Sequence, residues 1–277
     1  MTFRIEELQF RYRDDGSDHA LNGITAEIET GRTTAIIGLS GSGKSTLLSL
    51  LGLLLGDGKR RTPRINGAIE YTDRQGRKHD HLALPGHERE RLRLREFGFV
   101  LQSAFLMPHF SAERNVTMPL SLLGMSEREK ADRLDRTLAA LGAASGPLRG
   151  LLSRAASTCS GGEKQRLAVL RAVIHRPSVL FADEPTSNLD VLNQEAVLEL
   201  LQAWKQDSTD GKGDHTLVLV THAIGHAVDG ADRILALHGG RLVGDRTWTP
   251  EALGSCRESR FKALETMVRT GVPPHVV

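Results

Sequence analysis

Nine consecutive residues, Gly38-Leu-Ser-Gly-Ser-Gly-Lys44-Ser45-Thr46, have the types and spacing that hold a polyphosphate. Gly38, Gly41 and Gly43 tolerate positive φ and leave room for backbone N–H groups to close round an anion, and a helix opening at Lys44 adds its partial positive charge. Lys44 can reach the β- and γ-phosphates, Ser45 offers a hydroxyl to a Mg²⁺ bridging them, and Ser40, Ser42 and Thr46 complete the cradle. The pattern GxxxxGK[ST] is met in full. An apolar strand, Thr33 to Ile37, precedes it and a leucine-rich helix follows, which is the order the pattern needs. The chemistry expected is nucleoside triphosphate binding.

A second group could act on what the loop holds. Val179-Leu-Phe-Ala182 is a continuous apolar run suited to a central parallel strand, and it delivers Asp183 and Glu184 to the strand's C-terminal end, where ligands of open α/β sheets bind. Asp183 is placed to help hold Mg²⁺. Glu184 can orient and polarise a water for in-line attack on the γ-phosphate, so hydrolysis is expected rather than nucleotide sensing alone. Ser160-Gly161-Gly162-Glu163 is a capping box, and a helix start with two glycines also grips phosphate; both readings stand. Tyr12, just before a turn at Asp14-Asp15-Gly16-Ser17, is either a base-stacking aromatic or an ordinary strand-end residue. His79, His81 and His87 lack metal-ligand spacing and are expected on a polar surface loop.

These residues need elements to position them. Alternating apolar residues at Phe3, Ile5, Leu8 and Phe10, then at Leu21, Ile24, Ala26 and Ile28, predict two half-buried antiparallel strands. Residues 56–96 are rich in Gly, Arg, Asp and His, with one strand-like piece at Ile65–Tyr71. Phe97–Leu101 reads as a buried strand ending at Gln102. Helical periodicity follows from Ser111 to Gly142, with a capping box at Ser126–Glu129 and a loop at Gly146-Pro147. Further strands are expected at Leu217–Val220, ending at Thr221-His222, and near Ile234–Leu237 and Leu242–Val243. In the tail, Phe261, Leu264, Met267 and Val268 suit one amphipathic helix. The fold class is α/β, with a mostly parallel sheet, an N-terminal antiparallel β lobe and an inserted α-helical lobe at about 103–157. Residues 1–244 form the nucleotide-binding domain and 245–277 a tail.

The 277 residues allow a sizeable core. The longest apolar run, Leu47–Leu55, is interrupted by Ser49 and Gly52 and is too short to span a bilayer. The N-terminus has no basic region leading into an apolar stretch, so cytoplasmic residence is expected. Cys159 and Cys256 lack CxxC spacing and read as free thiols. The net charge of +2 is too small by itself to imply a polyanionic partner, yet Lys59–Arg95 holds 11 Lys/Arg against 5 Asp/Glu. A solvated charged insertion explains this excess, with a membrane surface or nucleic acid as the alternative.

Taken in order, the motifs closely resemble the ATP-binding cassette (ABC) ATPases, whose core is the P-loop NTPase fold. Gly38–Thr46 matches Walker A, Gln102 the Q-loop, Cys159–Glu163 the signature, Ala182–Asp190 Walker B with the D-loop, and His222 the switch histidine. The resemblance implies ATP and Mg²⁺ as cofactors, with Ser45, Gln102 and Asp183 at the metal. Lys44, Glu184 and His222 would be catalytic, and Tyr12 would lie under adenine. The signature residues Ser160, Gly161, Gly162 and Glu163 would act in trans on ATP held by a second cassette, most simply in a homodimer. Glu163, Asn188 and the run Phe97–Val116 resemble the lipoprotein-releasing, macrolide-exporter and cell-division group, which implies an integral membrane permease as partner and a peripheral place on the inner face of the membrane. No nucleic-acid partner is expected, since neither a long coiled-coil or zinc insertion nor a second cassette is present. A solute importer and a soluble cassette acting on nucleic acid are the alternatives. Cys159, Ser187 and Ala223 depart from the usual leucine, glycine and acid.

Overall fold

A computed structural model describes residues 2–13, 19–55, 64–207, 215–247 and 257–272. In chain order its elements are β1 (Phe3–Phe10), β2 (Leu21–Ile28), β3 (Thr33–Gly38), α1 (Lys44–Leu51), β4 (Ile65–Thr72), β5 (Lys78–Asp80), α2 (Gly86–Glu96), β6 (Phe97–Val100) and α3 (Ala112–Leu122). There follow α4 (Glu127–Ala140), α5 (Gly146–Arg149), α6 (Gly161–Val173), β7 (Val179–Asp183), α7 (Val191–Gln206), β8 (Thr216–Thr221), α8 (Ile224–Gly230), β9 (Arg233–His238), β10 (Arg241–Thr247) and α9 (Arg257–Thr270). The chain forms two compact units, Met1–Glu90 with Thr216–Val277, and Arg91–His215.

In the first unit the alternation of β1 becomes the antiparallel order β2-β1-β4-β5, with Phe3 opposite both Ile28 and Tyr71. Phe3 and Ile5 are buried with Arg4 and Glu6 exposed, as period-2 geometry requires, and the phase then shifts at Glu7, which takes φ 47 where the register slips, so that Leu8 and Phe10 are buried in turn. The parallel part runs β8-β3-β9, and β10 adds antiparallel to β9. All six residues of β3 are buried, so a run apolar on both faces is a strand covered on both faces. The tail's helix belongs to this core: Leu264, Met267 and Val268 of α9 pack with Ala35, Ile37, Ile234 and Ala236. Phe261 lies off that face, 40% exposed.

The Gly/Arg/His-rich stretch is more ordered than a polar surface loop. Pairing of β4 with β5 sets Tyr71 opposite His79, whose ring stacks on Tyr71 and whose Nε2 lies 3.0 Å from Asp73 Oδ2. His81 is fully buried and its Nε2–H donates to Leu51 O at 2.7 Å. Arg89, also buried, donates to Leu55 O at 2.6 Å. These donors satisfy carbonyls at and beyond the end of α1, which no further helical turn could reach. Only His87 is exposed as expected. The strand-loop-helix fold here was hidden because its apolar anchors are single residues set among charges.

Burial pushes the His81 pKa down to about 3, with the Arg89 charge and His79 acting in the same direction against the Leu51 carbonyl. The unfolded chain takes up this proton near 6.5 and the folded chain does not, so stability falls as pH drops through that window. Going from pH 7 to pH 5 costs about 2 kcal/mol from this group alone. Denaturant titrations at the two pH values check this, and His81→Gln, which keeps a donor for Leu51 O without the titration, flattens the dependence.

In the second unit β6 and β7 pair in parallel, with Val100 opposite Ala182. Gly98 has no room for a side chain, since a Cβ would lie 2.2 Å from Ala172 O. The helices α3, α4 and α5 follow β6. Ser126 and Glu129 form the capping box of α4, and Gly142 takes φ 58 just after the helix ends. Gly146-Pro147 starts the one-turn helix α5 rather than a loop. Proline lacks an N–H that the first turn leaves unbonded anyway, so it sits there without loss. The turn at 14–17 and Cys256 lie outside the described residues, and Cys159 is a buried free thiol.

Candidate nucleotide-binding site

In the first unit, β3 ends at Gly38 and α1 starts at Lys44, so five loop residues must turn the chain between them. A Cβ on Gly38 would lie 2.3 Å from Ser42 Oγ and 2.5 Å from Leu237 O. Gly43 takes φ 99 as the N-cap of α1, and a Cβ there would lie 2.5 Å from Ala20 O. Gly41, at φ 78, has open space around it. Lys44 is 6% exposed, and its ammonium donates to Gly38 O at 3.0 Å and Leu39 O at 2.9 Å, which folds the loop back over its own lysine. Ser42 Oγ is buried without a hydrogen-bond partner. A buried ammonium and an unsatisfied hydroxyl at a helix start form a site that gains from an anion. Ser40 and Ser45 are exposed and Thr46 is buried.

Gly43→Ala therefore suffers both positive-φ strain and a backbone clash. It is expected to lower the thermal midpoint by several degrees and to weaken ATP binding at least about tenfold, read by differential scanning fluorimetry and by isothermal titration.

Tyr12 is held at the first turn of α1. Its hydroxyl lies 2.8 Å from Thr46 Oγ1, its ring meets Phe10 edge-on at 4.9 Å, and it remains 56% exposed. His222 follows β8, whose register sets Thr221 opposite Ile37, so it leaves the sheet at the end from which the glycine loop leaves. Its side chain is exposed, and the next residue's N–H donates to Thr221 Oγ1 at 3.0 Å.

In the second unit, the parallel register of β6 and β7 brings Gln102 and Asp183-Glu184 out at one end. Gln102 is exposed; Asp183 and Glu184 are half-buried. Glu184 takes φ 46, a left-handed conformation that ends the strand sharply before Pro185. Its carbonyl accepts from Ser187 N at 3.3 Å and Ser187 Oγ at 3.1 Å. Ser187 thus helps hold a turn where glycine is usual.

The signature opens α6. Glu163 N–H donates to Ser160 Oγ at 3.2 Å, and Ser160 N–H donates to Glu163 Oε2 at 2.6 Å. That bond, together with the neighbouring Arg154 charge, holds the Glu163 carboxyl below the usual carboxylate range. Gly162 faces Asn193 of α7 so closely that a Cβ would lie 2.0 Å from its Oδ1. Helix α6 also braces the chain on either side of Gln102. Gln165 Nε2 donates to Leu101 O at 2.9 Å, and Arg171 donates to Ala104 O at 2.7 Å and Phe105 O at 2.9 Å. Sequence reasoning missed Arg154, Gln165 and Arg171. Their partners lie up to 67 residues away in the chain, and no local pattern marks them.

Among the described residues no three His, Cys, Asp or Glu side chains are grouped to hold a metal ion. A hydroxyl, a carboxylate and phosphate oxygens are nevertheless the ligand type of Mg²⁺, which keeps several waters and seldom has an all-protein cage.

The model of the ABC transporter family matches residues 21–187. The lipoprotein-releasing system ATP-binding protein LolD of Aquifex aeolicus is 35% identical over 82% of this chain and 91% of its own length. The macrolide export ATP-binding/permease protein MacB of Neisseria gonorrhoeae is 34% identical over 87% of this chain, which spans only 34% of that protein's length. An ATP-binding cassette solved as a dimer in a post-hydrolysis state with ADP and Pi superposes with a TM-score of 0.72 at 28% identity, over 88% of this chain and 98% of the other. On this evidence the chain belongs to the ABC transporter family.

Proposed function

We propose that the protein is a Mg²⁺-dependent ATPase subunit that dimerises on ATP and drives a separate integral membrane permease of the lipoprotein-release or macrolide-export type. The observation that carries the reading is the glycine cradle round the buried Lys44 ammonium beside the unsatisfied Ser42 hydroxyl. The likeness to LolD over nearly that protein's whole length supports the subgroup. The dimeric cassette with ADP and Pi supports a homodimer.

In this reading Lys44 and the N–H groups of Gly41, Gly43, Lys44 and Ser45 bind the β- and γ-phosphates, and Tyr12 stacks on adenine. Ser45, Asp183 and Gln102 are the residues that would hold Mg²⁺, which when bound neutralises charge between the β- and γ-phosphates. Glu184 accepts a proton from the attacking water as the water oxygen bonds to the γ-phosphorus and the bond to the ADP oxygen breaks. His222 contacts the γ-phosphate. A second copy supplies Ser160, Gly161 and Gly162 as donors to that phosphate, with Glu163 fixing their turn. No helix of the described residues is long and apolar enough to cross a membrane.

Purified protein is expected to release phosphate from ATP only with Mg²⁺, with a rate that rises more than linearly with protein concentration, and to co-purify from membranes with a permease subunit. Absence of Mg²⁺-dependent hydrolysis, alone and with that permease, refutes the reading.

A further inference from the structure

The signature poses an electrostatic problem that no motif resolves. A helix N-terminus that grips a phosphate has N–H groups and partial positive charge to offer, yet Glu163 places a carboxylate in the first turn of α6. It also consumes the Ser160 N–H through its Oε2 atom. The donors left for an anion are the Ser160 hydroxyl hydrogen and the amides of Gly161 and Gly162. A γ-phosphate arriving there meets a like charge a few atoms away, in a setting that loses water on closure.

Arg154 meets this carboxylate from outside the helix. Its Nη1 donates to Glu163 Oε1 at 3.1 Å and its Nη2 to Thr158 O at 2.6 Å. The two bonds aim the planar guanidinium at a fixed angle. Each carboxylate oxygen of Glu163 then has its own donor: the Ser160 amide on Oε2 and Arg154 on Oε1. The Arg154 side chain is 40% exposed and that of Glu163 21%. A pair so exposed adds little to the stability of the isolated fold. Its weight comes when a phosphate and a second protein surface displace the water that screens it.

We infer that Arg154 is a positioning residue that neutralises Glu163, so that an acidic signature can accept the γ-phosphate held by a second copy of this chain. The inference rests on the ATP-driven dimer proposed above. It assigns to Arg154 no contact with the nucleotide of its own protomer.

The test measures ATP-driven dimerisation by sedimentation velocity in a Glu184→Gln background. Arg154→Gln is expected to raise the ATP concentration for half-maximal dimer roughly tenfold, because it leaves like charges facing each other across the closing surface. Arg154→Lys, which keeps the charge, stays within about threefold of the parent. Nucleotide binding to the monomer, followed with a fluorescent ATP analogue, is unchanged in both. In a Glu163→Gln background the Arg154→Gln shift shrinks to about twofold or less, since no charge remains to neutralise. An equal shift in both backgrounds, or none beside intact Glu163, overturns the inference while leaving the dimer standing. If no dimer forms with Arg154 intact, the functional reading falls and takes the inference with it. Thermal midpoints within about 2 °C of the parent exclude unfolding as the cause.

Discussion

Glu184→Gln lowers steady-state ATP hydrolysis by roughly 10²- to 10⁴-fold while ATP binding is retained. The amide keeps the size and hydrogen-bonding reach of the carboxylate but cannot accept the proton that the attacking water must lose. The backbone at this position argues that the change is local. Glu184 sits at φ 46 with its carbonyl accepting from the Ser187 N–H and hydroxyl, so the turn is held through the Glu184 main chain and survives the substitution. With hydrolysis blocked and binding intact, the ATP-bound dimer should persist on gel filtration with Mg²⁺ and ATP and dissociate when ADP is supplied instead. Loss of binding in parallel with loss of rate would assign Glu184 to the phosphate cradle rather than to the water.

Lys44→Ala is expected to act at the other stage. The ammonium is the only formal positive charge in the glycine loop, and in the protein it is held by Gly38 O and Leu39 O. ATP must draw Nζ off these carbonyls onto its phosphate oxygens, exchanging neutral acceptors for charged ones, which bind roughly twice as strongly. Removing the ammonium forfeits about 2–3 kcal/mol of charge-assisted bonding, some 30- to 150-fold in affinity. It also leaves the two carbonyls that fold the loop without their donor. Isothermal titration with ATP in the absence of Mg²⁺ isolates this loss from the metal. An unchanged affinity would mean that the loop amides alone carry the phosphates.

The two substitutions separate binding from chemistry, and the Arg154 series separates both from closure. Three groups on different elements are thus assigned to three steps of one cycle, each with its own readout.

Some of this could be read directly from residue order. The loop at Gly38–Thr46 is legible because its backbone path demands glycine: φ 78 and φ 99, and the 2.3 Å approach at Gly38, write geometry in residue type. The strands β1, β3 and β7 are legible because period-2 alternation and unbroken apolar runs report one covered face or two. Capping boxes at Ser126 and Ser160 are legible because both partners lie within one turn.

Only the tertiary structure decided the rest, because the deciding interactions join residues distant in the chain. His79, His81 and His87 look alike in sequence. Antiparallel pairing and one carbonyl at the end of α1 make the first a half-buried partner of Asp73, the second a fully buried donor, and the third a surface residue. The tail's apolar residues predict a helix, but only the packed structure shows that Leu264, Met267 and Val268 close the core over β3 and β9 while Phe261 stays half outside. Arg171 reaches back 67 residues to Ala104, and Arg154 reaches forward nine to Glu163, outside the three- and four-residue spacings that local rules inspect. By itself the sequence determined the family to which the chain belongs, since its motifs consist of residue types at short spacing. What the fold decided is which charges are balanced and which carbonyls are satisfied, because those depend on the path the backbone takes between them.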